Sequence, residues 1–319
     1  MSQALPGAGG PGAQPPRTAG SATAPLPGGA SAIGTPGYAP PGAQPVFEPP
    51  ARSSEEVEQS VAAGERISGP TEMSAEYLDD LVHLMTMQAD SELAGAFGYV
   101  PWIARAPGVE EKLIVANIVR DETRHAKAIY GLLRDLGVDV DSRVQQHDYD
   151  YRVAQGELGT ARAGDDARVN IFYYPIESWA DFVTFNFLMD RGAGHQLEDG
   201  LESSYVPWAN ELHRIFKEEL THIRHGDMWV ERLAKDPSTK AEVQAAIDRW
   251  FPRTMNIFGR PGTKRNERYR RFGLKKRDND EVRRAFHEEV KANCDAWGLT
   301  LPEWTPDWAT MDQKERFGA

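Results

Sequence analysis

The sequence predicts an all-α protein: a four-helix bundle, followed by a helical extension and preceded by a disordered tail. Three observations support this prediction. Apolar residues recur at helical spacing over several long segments after about residue 55, where runs typical of strands are scarce. Two short Glu-X-X-His motifs, Glu122–His125 and Glu219–His222, follow the acidic residues Glu92 and Asp190 by 30 and 29 positions. The first fifty residues contain 22 Gly and Pro, which is typical of a segment that cannot form a core.

Composition sets the domain boundaries and excludes several classes of function. We expect a flexible tail over residues 1–54 and a folded domain over 55–319, with the core bundle at about 72–236 and the extension at about 237–300. The tail lacks the basic start and apolar run of a secretory signal. The single cysteine, Cys294, suits a reducing cytoplasm and makes an intrachain disulfide impossible. A net charge of −12 argues against nucleic-acid binding, and no apolar run is long enough to span a membrane.

The first two core helices are predicted on either side of a proline-containing break. The first should run from about Ser74 to Tyr99, with Pro101 and Pro107 marking its end. The second should run from about Val109 to Leu136, before Gly137. Each contains apolar residues three and four positions apart, which indicates one buried face.

The third and fourth core helices repeat this arrangement. The third should begin at Ser178, a good N-cap residue, and continue past Asp190. The fourth should begin after Ser204, with Pro207 in its first turn, and end before Pro237. In each helix pair the acidic residue and the motif lie about 12 to 15 residues from the connection, or about 20 Å along the helix. The two pairs can therefore meet at the middle of the bundle.

Together the motifs predict a metal pair. One such motif alone has an ordinary explanation as a helix surface, but two motifs with matched upstream carboxylates form the ligand pattern of a carboxylate-bridged di-iron site. Within each motif, the spacing puts Glu and His on one helical face. Four buried carboxylates would be costly without cations, and two Fe(II) ions would balance them. Oxygen and imidazole ligands favour iron or manganese, so a mixed manganese–iron centre stays open. The predicted ligands, whose carboxylates are also the expected catalytic groups, are Glu92, Glu122, His125, Asp190, Glu219 and His222.

Other polar residues near the motifs are candidates for supporting roles. Asp121 is expected to accept a hydrogen bond from the free N–H of a metal-bound imidazole. Glu218 has two interpretations, the same role or simple surface exposure. His225, three residues after His222, is expected to support the site or lie exposed and not to bind metal.

Two features of the third helix offer candidates for the space beside the metals. Its aromatic and leucine residues could form an apolar wall, although an ordinary core stripe is the alternative. Gly192 and Gly194 could leave room for O2 and a substrate ring, or mark a helix irregularity such as a π-bulge. The wall candidates are Phe182, Phe185, Phe187 and Leu188.

Several segments of the chain resemble the catalytic oxygenase subunits of the phenylacetyl-CoA epoxidase family. Residues 121–125 match the Asp-Glu-X-Arg-His signature of bacterial di-iron monooxygenases, and residues 190–197 are closer to the related benzoyl-CoA epoxidases. The resemblance covers about residues 65 to 300. The other matching segments are Asp90–Glu92, Trp102–Pro107, Tyr174–Pro175, Ser178–Asp181, Phe258–Gly259 and Lys275–Arg283.

The resemblance implies a ferritin-like fold and a multicomponent di-iron monooxygenase that uses O2 to epoxidise or hydroxylate the aromatic ring of an acyl-CoA thioester. It places the metal ions on the same six residues. It also implies electrons from NADPH through a reductase that carries flavin and an iron–sulfur cluster, a metal-free structural relative as a partner, and an oligomer. Phenylacetyl-CoA is the first substrate to consider. Benzoyl-CoA or a carrier-bound acid is the alternative, because Ala126 and Lys127 depart from the phenylacetyl-type pattern.

A basic segment and two competing functions complete the predictions. The segment 264–277 is densely basic and could bind CoA phosphates or an acidic reductase surface, or could be a plain solvated helix. Iron storage or peroxide handling without monooxygenase activity is one competing function, disfavoured by the long C-terminal extension. A scaffold subunit is another, disfavoured because all six ligands are present. The residues proposed to contact substrate are Lys264, Arg265, Lys275 and Lys276.

Overall fold

The computed structural model describes residues 48–152 and 166–306. In these ranges the chain is helical, with one isolated β-bridge between Ile67 and Tyr205. The tail predicted for residues 1–54 falls almost wholly outside the described residues, and the domain boundaries stay predictions. The helices are α1 (Ser54–Ala62), α2 (Ala75–Arg105), α3 (Gly108–Asp135), α4 (Val140–Gln146), α5 (Trp179–Phe185), α6 (Arg191–Gly200), α7 (Val206–Lys235), α8 (Lys240–Met255), α9 (Lys264–Arg271) and α10 (Asn279–Trp297).

The bundle consists of α2, α3, the continuous α5–α6 helix and α7. Helices α2 and α3 form a tightly packed hairpin, and α7 packs against α3, α5 and α6. The C-terminal helices cover one side, α8 against α5 and α7, and α10 against α6. This architecture confirms the predicted all-α bundle with a helical extension, which is the ferritin-like arrangement. None of the helices in the described ranges is long and apolar enough to cross a bilayer.

Local sequence signals set most helix boundaries. The Ser74 side chain accepts a hydrogen bond from the Tyr77 backbone and caps α2. Ser178 and Asp181 form a capping box at the start of α5. Pro207 lies in the first turn of α7, as predicted. Because these signals act through adjacent backbone groups, the predicted starts of α2, α3, α5 and α7 agree with the structure within about two residues.

The predicted end of α2 at Tyr99 is wrong. The helix continues through Pro101 to Arg105. Pro101 lies on the exposed face, while its neighbours Tyr99 and Trp102 are buried. The burial of two large aromatic side chains offsets the free-energy cost of the backbone hydrogen bond that is lost at a proline inside a helix.

A buried π-helical turn, Asn186–Asp190, joins α5 to α6. It lies against Gly226 of α7. A Cβ atom at Gly226 would come within 2.3 Å of the Phe187 backbone nitrogen, so only glycine permits this approach. The extra residue of the π turn rotates the residues after Phe185 relative to a regular helix, and Asp190 is the last residue of the turn.

Candidate metal centre

Four helical segments bring the six predicted ligands together at mid-bundle. Glu92 comes from α2, Glu122 and His125 from α3, Asp190 from the π turn, and Glu219 and His222 from α7. The ligand atoms fall into two groups that share Glu219, and within each group they lie within 4.8 Å of one another. One group is Glu92, Glu122, His125 and Glu219, and the other is Asp190, Glu219 and His222.

The two imidazoles face the carboxylates with their Nδ1 atoms. His125 Nδ1 lies 3.2 Å from Glu219 Oε1 and 3.4 Å from Glu92 Oε2. His222 Nδ1 lies 3.1 Å from Glu122 Oε1 and 3.5 Å from Glu219 Oε2. Neither Nδ1 atom has a partner in hydrogen-bond geometry among the described residues, although both are buried. Two orphaned imidazole nitrogens aimed at three carboxylates are suited to two cations held by oxygen and nitrogen ligands.

The electrostatics of the cluster also indicate a cation site. Burial and the neighbouring Glu219 raise the pKa of Glu122 well above its usual range. Burial and Glu219 likewise raise the pKa of Asp190 to about 8. Burial opposes the charge on His125, but Glu219 and Glu92 outweigh it and raise the pKa of His125 to about 12. Without metal the cluster therefore retains protons, and bound cations would replace them.

The outer nitrogen of each imidazole faces a carboxylate on the opposite helix, but at different distances. His125 on α3 pairs through Nε2 with Glu218 Oε2 on α7, at 2.6 Å. His222 on α7 has Asp121 of α3 at 3.8 Å from its Nε2, which is too far for a direct hydrogen bond. Arg124 lies between the two acceptors, 2.9 Å from Asp121 and 2.7 Å from Glu218. The geometry thus favours Glu218 over Asp121 as the hydrogen-bond acceptor, the reverse of the sequence-based preference.

Two residues that sequence reasoning missed hold Asp190 in place. The Tyr99 hydroxyl donates to Asp190 Oδ1 at 3.1 Å, and Asn186 Nδ2 donates to Asp190 Oδ2 at 2.9 Å. Asn186 lies four residues before Asp190, a spacing that could have identified it. Tyr99 comes from another helix and had no signal in the sequence.

His225 takes part in this network without joining either ligand group. Its Nδ1 lies 3.2 Å from Asn186 Oδ1, and its Nε2 lies 2.9 Å from Glu111 Oε2. His225 is buried and lies outside both groups of candidate ligands.

A cavity of about 120 Å³ opens beside the cluster. The four carboxylate ligands form one side of it, and the remaining lining is largely apolar. Gln88 and Lys275 are polar exceptions. The apolar lining includes Leu84, Met87, Val169, Phe172, Met189, Leu197, Trp208, Leu212 and Ile257.

The residues that the sequence suggested for this wall lie elsewhere. Phe182, Phe185, Phe187 and Leu188 are buried in the core and do not line the cavity, so the core-stripe alternative holds. The idea that Gly192 and Gly194 leave space for substrate is also wrong. Added Cβ atoms there would meet the side chains of Ile257, in the turn after α8, and of Ile223 on α7. The helix irregularity suggested as the alternative is present just before them, as the π turn.

A second, polar groove of about 290 Å³ adjoins the cavity and shares Lys275 and Gln196 with it. Two of the four basic residues proposed for substrate contact, Arg265 and Lys275, line this groove. Burial lowers the pKa of Lys275, whose amino group lies 3.4 Å from Asn279 Oδ1. Lys264 and Lys276 are exposed and do not line it, and Lys276 forms an ion pair with Glu202.

Comparison with known proteins identifies the family of the chain. The chain is 28% identical over 268 residues to one of the subunits of 1,2-phenylacetyl-CoA epoxidase from Escherichia coli (strain K12), covering 83% of this chain and 82% of the relative. A solved structure from Synechococcus, described as a protein with aldehyde deformylating oxidase activity, aligns with a TM-score of 0.48 and 16% identity. That alignment covers 76% of this chain and 97% of the other. The family model described as phenylacetic acid catabolic protein matches residues 55–318. Since this match spans most of the chain, the protein belongs to the phenylacetic acid catabolic protein family.

Proposed function

We propose that the protein is the catalytic subunit of a di-iron monooxygenase that inserts one oxygen atom of O2 into the aromatic ring of an acyl-CoA thioester. The observation that carries the proposal is the six-ligand cluster opening onto an apolar cavity. An iron-storage protein needs the metal ligands. It does not need an apolar cavity lined by four of those ligands. The cavity therefore favours chemistry on an organic molecule.

The reaction consumes the ring, O2, two electrons and two protons, and yields the epoxide and water. Two ferrous ions, bound by the six ligands, would supply the reduction of O2. The protein's own residues do the rest. Tyr99 and Asn186 fix Asp190 by hydrogen bonds to both of its oxygens. Phe172, Met189 and the other apolar residues of the cavity exclude water from the reacting ring.

The size of the cavity supports an aromatic ring as the group that enters it. An apolar cavity of roughly 150 Å³ binds benzene, and this one is of similar size. The adjoining groove, with Arg265 and Lys275, is suited to the anionic and polar part of a CoA thioester. Phenylacetyl-CoA is the first candidate because the E. coli relative is named for it. Benzoyl-CoA, in which the ring joins the thioester directly, is the second.

The same relative suggests partners. It is named as one subunit of its epoxidase, which implies that other subunits exist. We propose a flavin and iron–sulfur reductase that delivers electrons from NADPH, and a structural subunit of the same fold. A mixed manganese–iron centre would use the same ligands.

The first test is the metal content of the purified chain after anaerobic loading with Fe(II). We expect about two irons per chain, because the six ligands form two groups. Glu122→Ala should lose most of this iron, since Glu122 belongs to the cluster core. Glu110→Ala, an exposed glutamate on the same helix, is the control and should bind as the unchanged protein does. Little iron in the unchanged protein would contradict the proposal and favour a scaffold subunit.

The second test separates a monooxygenase from an iron-storage or peroxide-handling protein. Oxygen uptake by the loaded protein should require both a reductase and an aromatic acyl-CoA, and the product should gain one oxygen atom from 18O2. Uptake that is equally fast without the thioester, with no oxygenated product, would favour iron or peroxide handling. Phenylacetyl-CoA and benzoyl-CoA are compared in parallel.

A further inference from the structure

A row of aromatic side chains leads away from the metal centre on the side of Asp190. Tyr99 donates its hydroxyl to Asp190 Oδ1 and is fully buried between α2 and α5. Its ring centre lies 5.2 Å from that of Phe182, and Phe182 stacks on Trp179 at 5.1 Å with an angle of 12° between the rings. Trp179 is only half-buried. Ring contacts therefore connect a metal ligand to a side chain that reaches the protein surface.

Two further tryptophans surround Trp179. Trp229 lies edge-on at 5.2 Å, and Trp102 lies at 6.2 Å. Each carries a guanidinium group over its ring, Arg232 over Trp229 at 4.7 Å and Arg105 over Trp102 at 5.6 Å. A cation there makes a second positive charge on the ring costly. An electron vacancy that reaches these three tryptophans is therefore held on Trp179.

We propose that Tyr99, Phe182 and Trp179 form an electron-transfer chain that protects the centre when O2 is reduced without substrate. The proposal rests on the proposed di-iron function. Tyrosine and tryptophan are among the side chains most readily oxidised by one electron, and Phe182 bridges them as a spacer. Without this chain, the oxidant formed from O2 would oxidise the thioethers of Met87 and Met189, which line the cavity, to sulfoxides.

The electrons balance as follows. Reduction of O2 to two waters needs four electrons and four protons. A ferrous pair held by the six residues would supply two of these electrons, and the substrate would supply the other two when it accepts an oxygen atom. Without substrate, Tyr99 gives one electron to the oxidised metal pair and its phenolic proton to Asp190. Trp179 then gives an electron to the tyrosyl radical, which recovers its proton from Asp190. A thiol reductant in solution restores Trp179. Two such cycles oxidise two thiols to one disulfide.

The test is a single exposure of anaerobically Fe(II)-loaded protein to O2, without acyl-CoA, followed by peptide mass spectrometry and rapid-freeze electron paramagnetic resonance. Trp179→Phe interrupts the chain outside the cavity. Trp297→Phe is the matched control, since Trp297 is also half-buried but contacts Phe187 instead. In Trp179→Phe we expect sulfoxide at Met87 and Met189 to rise several-fold and the tryptophan radical signal to be lost. Trp297→Phe should behave as the unchanged protein.

The outcomes separate this inference from the function on which it rests. Equal sulfoxide yields and equal radical signals in the two variants, with normal O2 consumption, would overturn the electron-transfer chain alone. A loaded protein that consumes no O2 would overturn the monooxygenase proposal and the chain together. Product formation by Trp179→Phe with reductase and acyl-CoA should match that of the unchanged protein, because Trp179 lines neither the cavity nor the groove.

Discussion

Glu218 on α7 pairs with His125 of α3, one of the proposed metal ligands. It accepts from His125 Nε2 at 2.6 Å, and it is held in turn by Arg124 at 2.7 Å. A carboxylate in this position fixes the tautomer of the ring and makes its other nitrogen a better metal ligand. The arginine holds the carboxylate in place.

Glu218→Gln is therefore expected to weaken metal binding by roughly 10- to 100-fold, because a neutral amide supports the imidazole less well. Asp121→Asn should have a smaller effect, since Asp121 lies 3.8 Å from His222. Anaerobic titration with Fe(II) measures both. Glu211→Gln, on the same helix and paired with Arg214, is the control for removal of a charge. Equal losses in Glu218→Gln and Asp121→Asn would show that the direct hydrogen bond is not what matters.

At this scale the sequence predicted which six residues lie together, but not what holds them in place. The i, i+3 spacing puts Glu and His of each motif on one helical face, because a helix fixes which residues share a face. The matched distances to the helix connections bring Glu92 and Asp190 to the same height. The choice between Asp121 and Glu218 depends on how far α3 and α7 are rotated against each other, which no local pattern encodes. Tyr99 reaches Asp190 across the bundle and could not have been identified from the sequence either.

Among the elements, the π turn has the most direct effect on the site, because Asp190 is its last residue. The turn depends on Gly226, whose missing side chain lets the Phe187 backbone approach α7. Local helix periodicity could suggest an irregularity near Gly192 and Gly194, but it could not show that a glycine on a different helix makes room for it.

Gly226→Ala is expected to destabilise the protein by about 1–3 kcal/mol, because the new methyl group meets backbone atoms that cannot rotate away. Displacement of the π turn should also reduce iron loading, through Asp190. Gly131→Ala is the control. Gly131 lies inside α3 near its C-terminal end, with nothing within 4 Å of an added Cβ, so the variant should gain roughly 0.5–1 kcal/mol of stability. Urea unfolding of the metal-free proteins measures both, and stabilisation by Gly226→Ala would refute the packing argument.

Pro101 and the aromatic residues of α5 show why element ends and facing directions were harder to predict. Proline is a local signal for a helix end, yet α2 continues past Pro101 because Tyr99 and Trp102 are buried in the core. The apolar pattern of α5 correctly indicates burial. It cannot distinguish a core from a cavity wall, because both require the same side chains.

For the whole molecule, the titration of the cluster should make the stability of the metal-free protein fall as the pH rises from about 6 to 9. The pKa of Asp190 is raised to about 8, so its protonated form stabilises the fold and is lost as the pH approaches that value. The pKa of His125 is raised to about 12, and its contribution, fully present below about pH 6.5, is also lost as the pH rises. Each proton difference contributes at most roughly 1.4 kcal/mol per pH unit.

Metal should reverse this trend, because cations bind the deprotonated carboxylates and neutral imidazoles. The increase in melting temperature on adding Mn(II), a redox-stable substitute for iron, is therefore expected to grow between pH 6 and pH 8.5. Asp190→Asn removes one of the titrating groups and should flatten the pH dependence of the metal-free protein. An increase that shrinks with pH would contradict the assigned protonation states.

The unequal surroundings of the two imidazoles have a consequence for the symmetry of the proposed centre. The repeated helix pairs suggest two equivalent metal positions, but their surroundings differ. One position has His125 backed by a direct hydrogen bond to Glu218, while the other has His222 without such a bond and Asp190 in place of a glutamate. The first offers a more electron-rich nitrogen, so the two ions should differ in affinity and in reduction potential. Such inequivalence is what a heterobimetallic centre needs to sort two different metals between its halves.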